Sequence, residues 1–203
     1  MQINIDKKTG VLLSIIAVLL LIIGMIAFGS GHDEDGDHMG MHGQNQGQMM
    51  NTNDGAFSGS DIMFAQMMIP HHQQAIEMSD LAIKISKNSD VVKLAKQIKA
   101  AQTPEITQMR NWLSAANASE TMDHSMGMGG MLSDAEISTL SKSTGKTFDS
   151  LFLTGMIAHH EGAIHMVMMI QDSSNAEVKT LGEAIVKAQT AEIALMKDLL
   201  KTL

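Results

Sequence analysis

The chain has 203 residues, a formal net charge of −8, 20 Met, 9 His and no Cys. An acidic chain of this kind is a poor partner for nucleic acid and a better one for cations. The lack of cysteine excludes disulfides and thiolate metal sites, so any site for a soft metal must use Met and His.

An apolar run without a charge extends from Val11 to Phe28 and follows Lys7 and Lys8. The lysines place residues 1–10 in the cytoplasm and the rest of the chain outside it. A run of 18 residues is just long enough to cross a bilayer as a permanent membrane anchor, and a cleaved signal peptide is the alternative. In both cases we expect the functional part to be extracytoplasmic, in the periplasm or at the cell surface.

Residues 29–58 are rich in Gly, Gln, Asn, Asp, His and Met and lack apolar periodicity, which is typical of a flexible tether. Helical periodicity begins at residue 59 and, apart from a polar loop, continues to residue 203. We predict a helical hairpin at 59–116, a Met- and His-rich loop at 117–132, a short helix at 133–145 and a second hairpin at 147–203.

Local signals place several helix boundaries within these hairpins. Ser133 and Glu136 form a capping-box pattern at the start of the short helix. Ser89 and Asn175 are the predicted N-caps of the second helix in each hairpin. Pro70 predicts a kink in a continuing helix, whereas Pro104 could instead occupy the first position of a new one.

The two hairpins are copies of one another. Segment 61–78 matches 149–166 at an offset of 88 residues, and each copy contains two adjacent histidines between methionines. The second helices match at an offset of 87 residues, with a Gln, a Glu and a Met in common. A duplicated hairpin predicts an all-α fold, namely a four-helix bundle.

The histidine pairs are candidate metal ligands. Residues three or four apart share a helix face, so each pair lies close to a methionine. Adjacent histidines diverge by about 100°, so we expect His71 and His159 to point inward and His72 and His160 to lie at the bundle edge. Imidazole and thioether are soft neutral ligands. The predicted copper or silver site comprises Met68, His71, His72, Met78, Met156, His159, His160 and Met166.

The partner helices supply secondary candidates. Glu105 and Glu192 fall near core positions, and we expect each to accept a hydrogen bond from a histidine N–H. Met109 and Met196 share the faces of these glutamates, and His165 is a weaker candidate as a ligand or ion-pair partner of Glu161. Weak capture sites are predicted in the tether and loop, at His38, Met39, Met41, His42, His124, Met126 and Met128.

Two motifs resemble one family. Met-Ile-x-His-His-x-x-Ala-Ile-x-Met occurs at 68–78 and 156–166, and Gln-x-x-Glu-Ile-x-x-Met occurs at 102–109 and 189–196. They resemble the domain of unknown function 305 family, over residues 59–203. The resemblance implies an exported, ferritin-like four-helix bundle, and some members, the CopM type, are periplasmic copper-binding proteins linked to copper resistance.

These observations favour an extracytoplasmic copper-binding protein that sequesters, buffers or delivers the metal. Cu(I) is the preferred ion, with Ag(I) and Cu(II) as alternatives, and a metal-exchange protein is a candidate partner, whereas nucleic acid is not. No catalytic motif is visible, so we expect no enzymatic activity. One alternative is a ferritin-like di-iron or copper oxidase, although the Glu-x-x-His motif of di-iron sites is absent. The other is a structural or partner-binding bundle with a Met-rich core.

Overall fold

A computed structural model describes residues 56–121 and 128–203. The predicted cytoplasmic segment, apolar run and tether therefore lie outside the described residues. Every regular element in the described ranges is a helix, which confirms the all-α class. None of these helices has a stretch long and apolar enough to cross a membrane.

The first hairpin consists of α1, Gly59–Ile85, and α2, Ser89–Ala115. Asn88, not Ser89, caps α2, so the predicted cap was wrong by one residue. The side-chain carbonyl of Asn88 accepts hydrogen bonds from two backbone amides of the first turn, at 3.0 and 3.4 Å. One Asn side chain thus satisfies two donors that the helix itself leaves unpaired.

Both prolines lie inside helices, Pro70 in α1 and Pro104 in α2. The helix around Pro70 continues, as predicted, and the alternative that Pro104 begins a new helix is wrong. Each proline removes a backbone hydrogen bond, a cost that extensive packing of a long helix offsets.

The short helix α3 spans Asp134–Lys142, and its capping box is present as predicted. The second hairpin consists of α4, Gly145–Val167, and α5, Ala176–Leu200. A short 3-10 turn at Met168–Ile170 extends α4. Asn175 caps α5 as predicted, in the same way that Asn88 caps α2.

The long helices pack as two hairpins against each other. α1 packs on α2, α4 packs on α5, and the hairpins meet where α1 contacts α4 and α2 contacts α5. The buried apolar side chains form two large clusters. The first cluster includes Phe64, Met68, Met109, Trp112, Met166 and Ile185. The second cluster includes Met78, Ile98, Phe148, Phe152, Met156 and Met196.

A buried polar layer separates the two clusters. On α1, the buried apolar residues up to Ile69 belong to the first cluster and those from Ala75 onward belong to the second. The other three long helices change clusters in the same way, and the residues at the change are polar and buried. This polar layer comprises His71, His72, Gln102, Glu105, His159, His160, Gln189 and Glu192.

A buried hydrogen bond joins the two hairpins at one end. The Ser86 hydroxyl, at the end of α1, donates to Oδ1 of Asp149 in α4 at 2.6 Å. The same hydroxyl oxygen accepts from the backbone N–H of Asn88 at 3.1 Å. Ser86 therefore connects α1, the start of α2 and α4.

We expect Ser86→Ala to lower the free energy of unfolding by about 1–3 kcal/mol, because a buried carboxylate oxygen loses its donor. Urea denaturation followed by circular dichroism measures the change. The matched control is Ser114→Ala on the exposed surface of α2, which should change the value by less than about 0.5 kcal/mol. Equal losses in the free energy of unfolding for Ser86→Ala and Ser114→Ala would contradict a stabilising role for the Ser86 hydrogen bond.

Candidate metal centre

Four histidines occupy the middle of the polar layer, two from α1 and two from α4, and all four are 0% exposed. The rings of His71 and His159 lie face to face across the hairpin interface, with centroids 3.7 Å apart and planes tilted by 37°. The ring of His160 lies 6.4 Å from that of His159. The fold thus brings histidines from both copies of the repeat into contact.

The expectation that His72 and His160 lie at the bundle edge was wrong. Each belongs to a helix that is covered on two sides, by its hairpin partner and by the opposite hairpin. Two side chains that diverge by about 100° on such a helix can therefore both be buried. His71 and His159 face each other, while His72 and His160 face the second helix of their own hairpin.

The second histidine of each pair contacts a buried glutamate. Nε2 of His72 lies 2.7 Å from Oε2 of Glu105, and Nε2 of His160 lies 2.6 Å from Oε2 of Glu192. These are the histidine–glutamate contacts expected from the sequence. A carboxylate oxygen accepts, so Nε2 of each ring donates to its glutamate, and Nδ1 remains for another partner.

The two central imidazoles are neutral at physiological pH. Burial lowers the pKa of His71 to about 3, helped by the nearby charges of His72 and His160 and opposed by a hydrogen bond to Gly129. Burial also lowers the pKa of His159, and the other three histidines act in the same direction. Nε2 of His71 lies 3.2 Å from the Gly129 carbonyl oxygen and donates to it, which leaves the lone pair on Nδ1.

The remaining ring nitrogens are not paired within the described residues. Nδ1 of all four histidines, and also Nε2 of His159, lack a hydrogen-bond partner of good geometry. Buried polar atoms without partners are uncommon in folded proteins. A neutral imidazole nitrogen with a free lone pair is the form that binds metal ions. The donor chemistry of the layer therefore fits a soft metal ion.

Two buried glutamines contribute side-chain oxygens to the same polar layer. Gln102 and Gln189 lie one turn before the buried glutamates and are each 3% exposed. The side-chain oxygen of each lacks a partner in the described part of the chain, as does Oε1 of Glu192. The described layer therefore contains three acceptor oxygens without a donor, an arrangement that favours a cation.

Methionines from both copies border the layer on each side. Met68 of α1 and Met166 of α4 belong to the first cluster, whereas Met78 of α1 and Met156 of α4 belong to the second. Met68 precedes the histidine pair of α1, yet it shares a cluster with Met166, which follows the pair of α4. The two helices α1 and α4 therefore run antiparallel. Met109 and Met196, both fully buried, add one further methionine to each cluster.

Across residues 56–121 and 128–203, no three His, Cys, Asp or Glu side chains are arranged to hold a metal ion. An ion at the central histidines would therefore need thioether ligands or a low coordination number. Thioethers select Cu(I) among biological metals.

Two other candidates are described, His165 and Met128, and neither belongs to the buried polar layer. His165 is exposed on α4, and Glu161, its expected ion-pair partner, pairs with Lys197 at 3.3 Å. Met128 is half-buried and packs against the first cluster. The remaining loop candidates lie outside the described residues: His38, Met39, Met41, His42, His124 and Met126.

Sequence reasoning missed the loop contacts above the central histidines. The Gln74 side chain donates to the Leu132 carbonyl and accepts from the Leu132 N–H, both at 2.8 Å. The backbone of Gly162 in α4 lies so close to the loop that an added Cβ would be 1.9 Å from the Gly129 oxygen. Gln74 and Gly162 occupy the same position of the repeat, and this mismatch was the available signal.

A family model described as "Domain of unknown function (DUF305)" matches residues 61–200. A putative secreted DUF305 protein from Streptomyces coelicolor is 34% identical and superposes with a TM-score of 0.68, over 70% of this chain and 91% of its own. A DUF305 fragment from Deinococcus radiodurans is 31% identical with a TM-score of 0.68, over 72% and 99% of the two chains.

CopM in its Cu(I)-bound form is also similar, with 29% identity and a TM-score of 0.60 over 70% of this chain and 96% of CopM. CopM structures in Cu(II)-bound and Ag-bound forms match over the same shares. No curated protein is detectably similar in sequence.

We expect the metal-free protein to lose stability as the pH falls from about 6.5 towards about 3. In this window His71 stays neutral in the folded state but binds a proton in the unfolded state, so acid favours unfolding. Each such histidine adds a slope of up to about 1.4 kcal/mol per pH unit. Urea denaturation at a series of pH values measures the slope.

His71→Asn should flatten this slope, whereas the same change at the exposed His165 should leave it as in the unsubstituted protein. Identical slopes in all three proteins would show that the buried rings do not control acid stability.

Proposed function

The chain belongs to the DUF305 family, and from this membership and the geometry of the polar layer we propose that it binds copper outside the cytoplasm. The preferred ion is Cu(I), with Ag(I) and Cu(II) as alternatives. Its role is to sequester, buffer or deliver copper, and so to support copper tolerance. In this proposal the four long helices form a ferritin-like four-helix bundle with the metal centre in its middle layer.

One observation carries the proposal: four buried imidazoles from both hairpins each have an Nδ1 without a hydrogen-bond partner among residues 56–121 and 128–203. The Nδ1 atoms of His71 and His159 are the primary donors, because their rings are in contact and neutral. Ligands that are already deprotonated bind a cation without first releasing protons. Thioethers from the bordering methionines would complete the coordination.

The similar structures support the choice of ion. CopM has been solved with Cu(I), Cu(II) and Ag, the same group of ions that the imidazole and thioether donors favour. The location is supported by the relative described as a putative secreted protein and by the apolar run at residues 11–28. Methionine and histidine also suit an oxidising compartment, where a cysteine site would be lost to oxidation.

The glutamates act on the histidines in this proposal and do not bind the ion. Glu105 and Glu192 each hold a histidine ring by Nε2, which fixes its orientation and exposes Nδ1 as the donor. A di-iron oxidase would need carboxylates and histidines grouped around the metals. The described residues contain no such group of three, which weighs against that alternative.

The double substitution His71→Ala/His159→Ala should lower Cu(I) affinity by at least about 100-fold, because the two contacting neutral imidazoles are removed. Anaerobic titration against a chromophoric Cu(I) chelator measures the affinity, and circular dichroism confirms that the variant is folded. His165→Ala, on the exposed face of α4, is the matched control and should bind like the unsubstituted protein. Unchanged affinity in the double variant would reject the proposed centre.

The methionines should discriminate between oxidation states. Met68→Leu/Met166→Leu preserves side-chain volume in the first cluster but removes two thioethers. We expect Cu(I) affinity to fall by about tenfold or more and Cu(II) affinity to change much less, because only the softer ion depends on sulfur. Competition titrations with each ion measure the difference.

Met63→Leu is the control for this pair, since Met63 is a half-buried methionine of α1 that packs on the same cluster. Equal losses for both ions, or the same loss in the control, would exclude thioether coordination.

A further inference from the structure

A described segment of the second loop, Met128–Leu132, crosses directly over the central histidines, and we refer to it as the strap. On α1, the Gly129 carbonyl accepts a hydrogen bond from His71. On α4, the strap contacts the backbone on both sides of His159. A Cβ added to Gly130 would lie 2.3 Å from the Ala158 oxygen, and one added to Gly162 would lie 1.9 Å from the Gly129 oxygen.

The side chain of Gln74 binds the backbone of the strap. The Gln74 amide forms two hydrogen bonds with Leu132, one to its carbonyl and one from its N–H, both at 2.8 Å. Gln74 lies one turn beyond His71 on α1, so the attachment point is next to the central rings. The other end of the strap contacts His71 itself through Gly129.

The repeat has diverged to fit the strap. Gln74 and Gly162 are equivalent positions in the two copies, and both contact the strap. On α1 this position carries a long amide that grips the loop, and on α4 it has no side chain, so the loop can approach closely. Gly130 has a φ of +83°, a conformation that glycine adopts without strain. Gln74, Gly130 and Gly162 thus all favour the same conformation of the strap.

Room for movement lies beside the strap. A cavity of about 350 Å³ is bounded by the strap residues Gly130, Met131 and Leu132 and by Gly155 and Ala158 of α4. The cavity is also lined by α3, at Glu136 and Leu140. The rings beneath the strap are fully buried, so an ion reaches them only if part of their cover moves aside.

We propose that the strap is the gate through which a metal ion enters and leaves the central histidines, and that Gln74 is its latch. The inference rests on the proposed copper binding. Because the strap must open for entry and for exit, the latch controls both rates in the same direction. The ratio of the rates, which is the affinity, depends on the ligands and changes little.

Gln74→Ala tests the latch. Stopped-flow transfer of Cu(I) from the loaded protein to excess bathocuproine disulfonate should become faster, on the order of tenfold, because the two hydrogen bonds from the Gln74 side chain to the strap backbone are lost. The equilibrium affinity for Cu(I) should change by less than about threefold. Gln73→Ala, the exposed neighbour on the same helix, is the matched control and should transfer copper at the unsubstituted rate.

Gly162→Ala tests the close approach on the other helix. Its Cβ would overlap the Gly129 carbonyl, so the strap must lift and transfer should again become faster. Gly59→Ala is the control, because a Cβ there meets no atom within 4 Å. In the metal-free protein, hydrogen exchange at the Leu132 amide should accelerate in Gln74→Ala and Gly162→Ala but in neither control.

The outcomes separate the two proposals. If the unsubstituted protein binds no Cu(I), the proposed function fails and the gate fails with it. If it binds Cu(I) but Gln74→Ala transfers copper at the unsubstituted rate, the gate alone is overturned. A faster transfer matched by an equal loss of affinity also overturns the gate, because it would mean that Gln74 supports the ligands themselves.

Discussion

The structure depends on one unusual constraint: the middle of its helical core is polar, and Nδ1 of each of four buried imidazoles lacks a partner among the described residues. A buried polar atom without a partner costs about 1–3 kcal/mol, whereas a whole domain is stable by only about 5–15 kcal/mol. The metal-free fold therefore carries a cost that a bound cation would remove. Under the proposed function, copper binding in this layer would also stabilise the fold.

Duplication explains how one chain builds this layer. Each hairpin brings a histidine pair on its first helix and a glutamate on its second, and the antiparallel contact of α1 with α4 places the pairs at one level. The same arrangement sorts the methionines into two clusters that border the layer. The copies differ where the second loop crosses them, at Gln74 and Gly162, so a nearly symmetric centre is covered by an asymmetric strap.

Much of this architecture could be predicted from sequence, because helical periodicity and an internal repeat are local signals. The duplicated hairpins, the Asn175 cap and the histidine–glutamate contacts all follow from spacing along a helix. The burial of His72 could not be predicted in this way, since a helical wheel gives the angle between side chains but not how many neighbours surround the helix. The strap was missed for a related reason. Its contacts join residues 58 positions apart through backbone atoms, which leave no side-chain pattern in the loop.

The central claim is that Nδ1 of His71 and Nδ1 of His159 bind the ion, and anomalous diffraction at the copper edge from crystals loaded anaerobically with Cu(I) tests it most directly. The account predicts a strong peak within bonding distance of Nδ1 on at least one of these rings, with methionine sulfur completing the coordination. Peaks confined to the protein surface, with the two rings still in contact and no density between them and the neighbouring methionines, would contradict it.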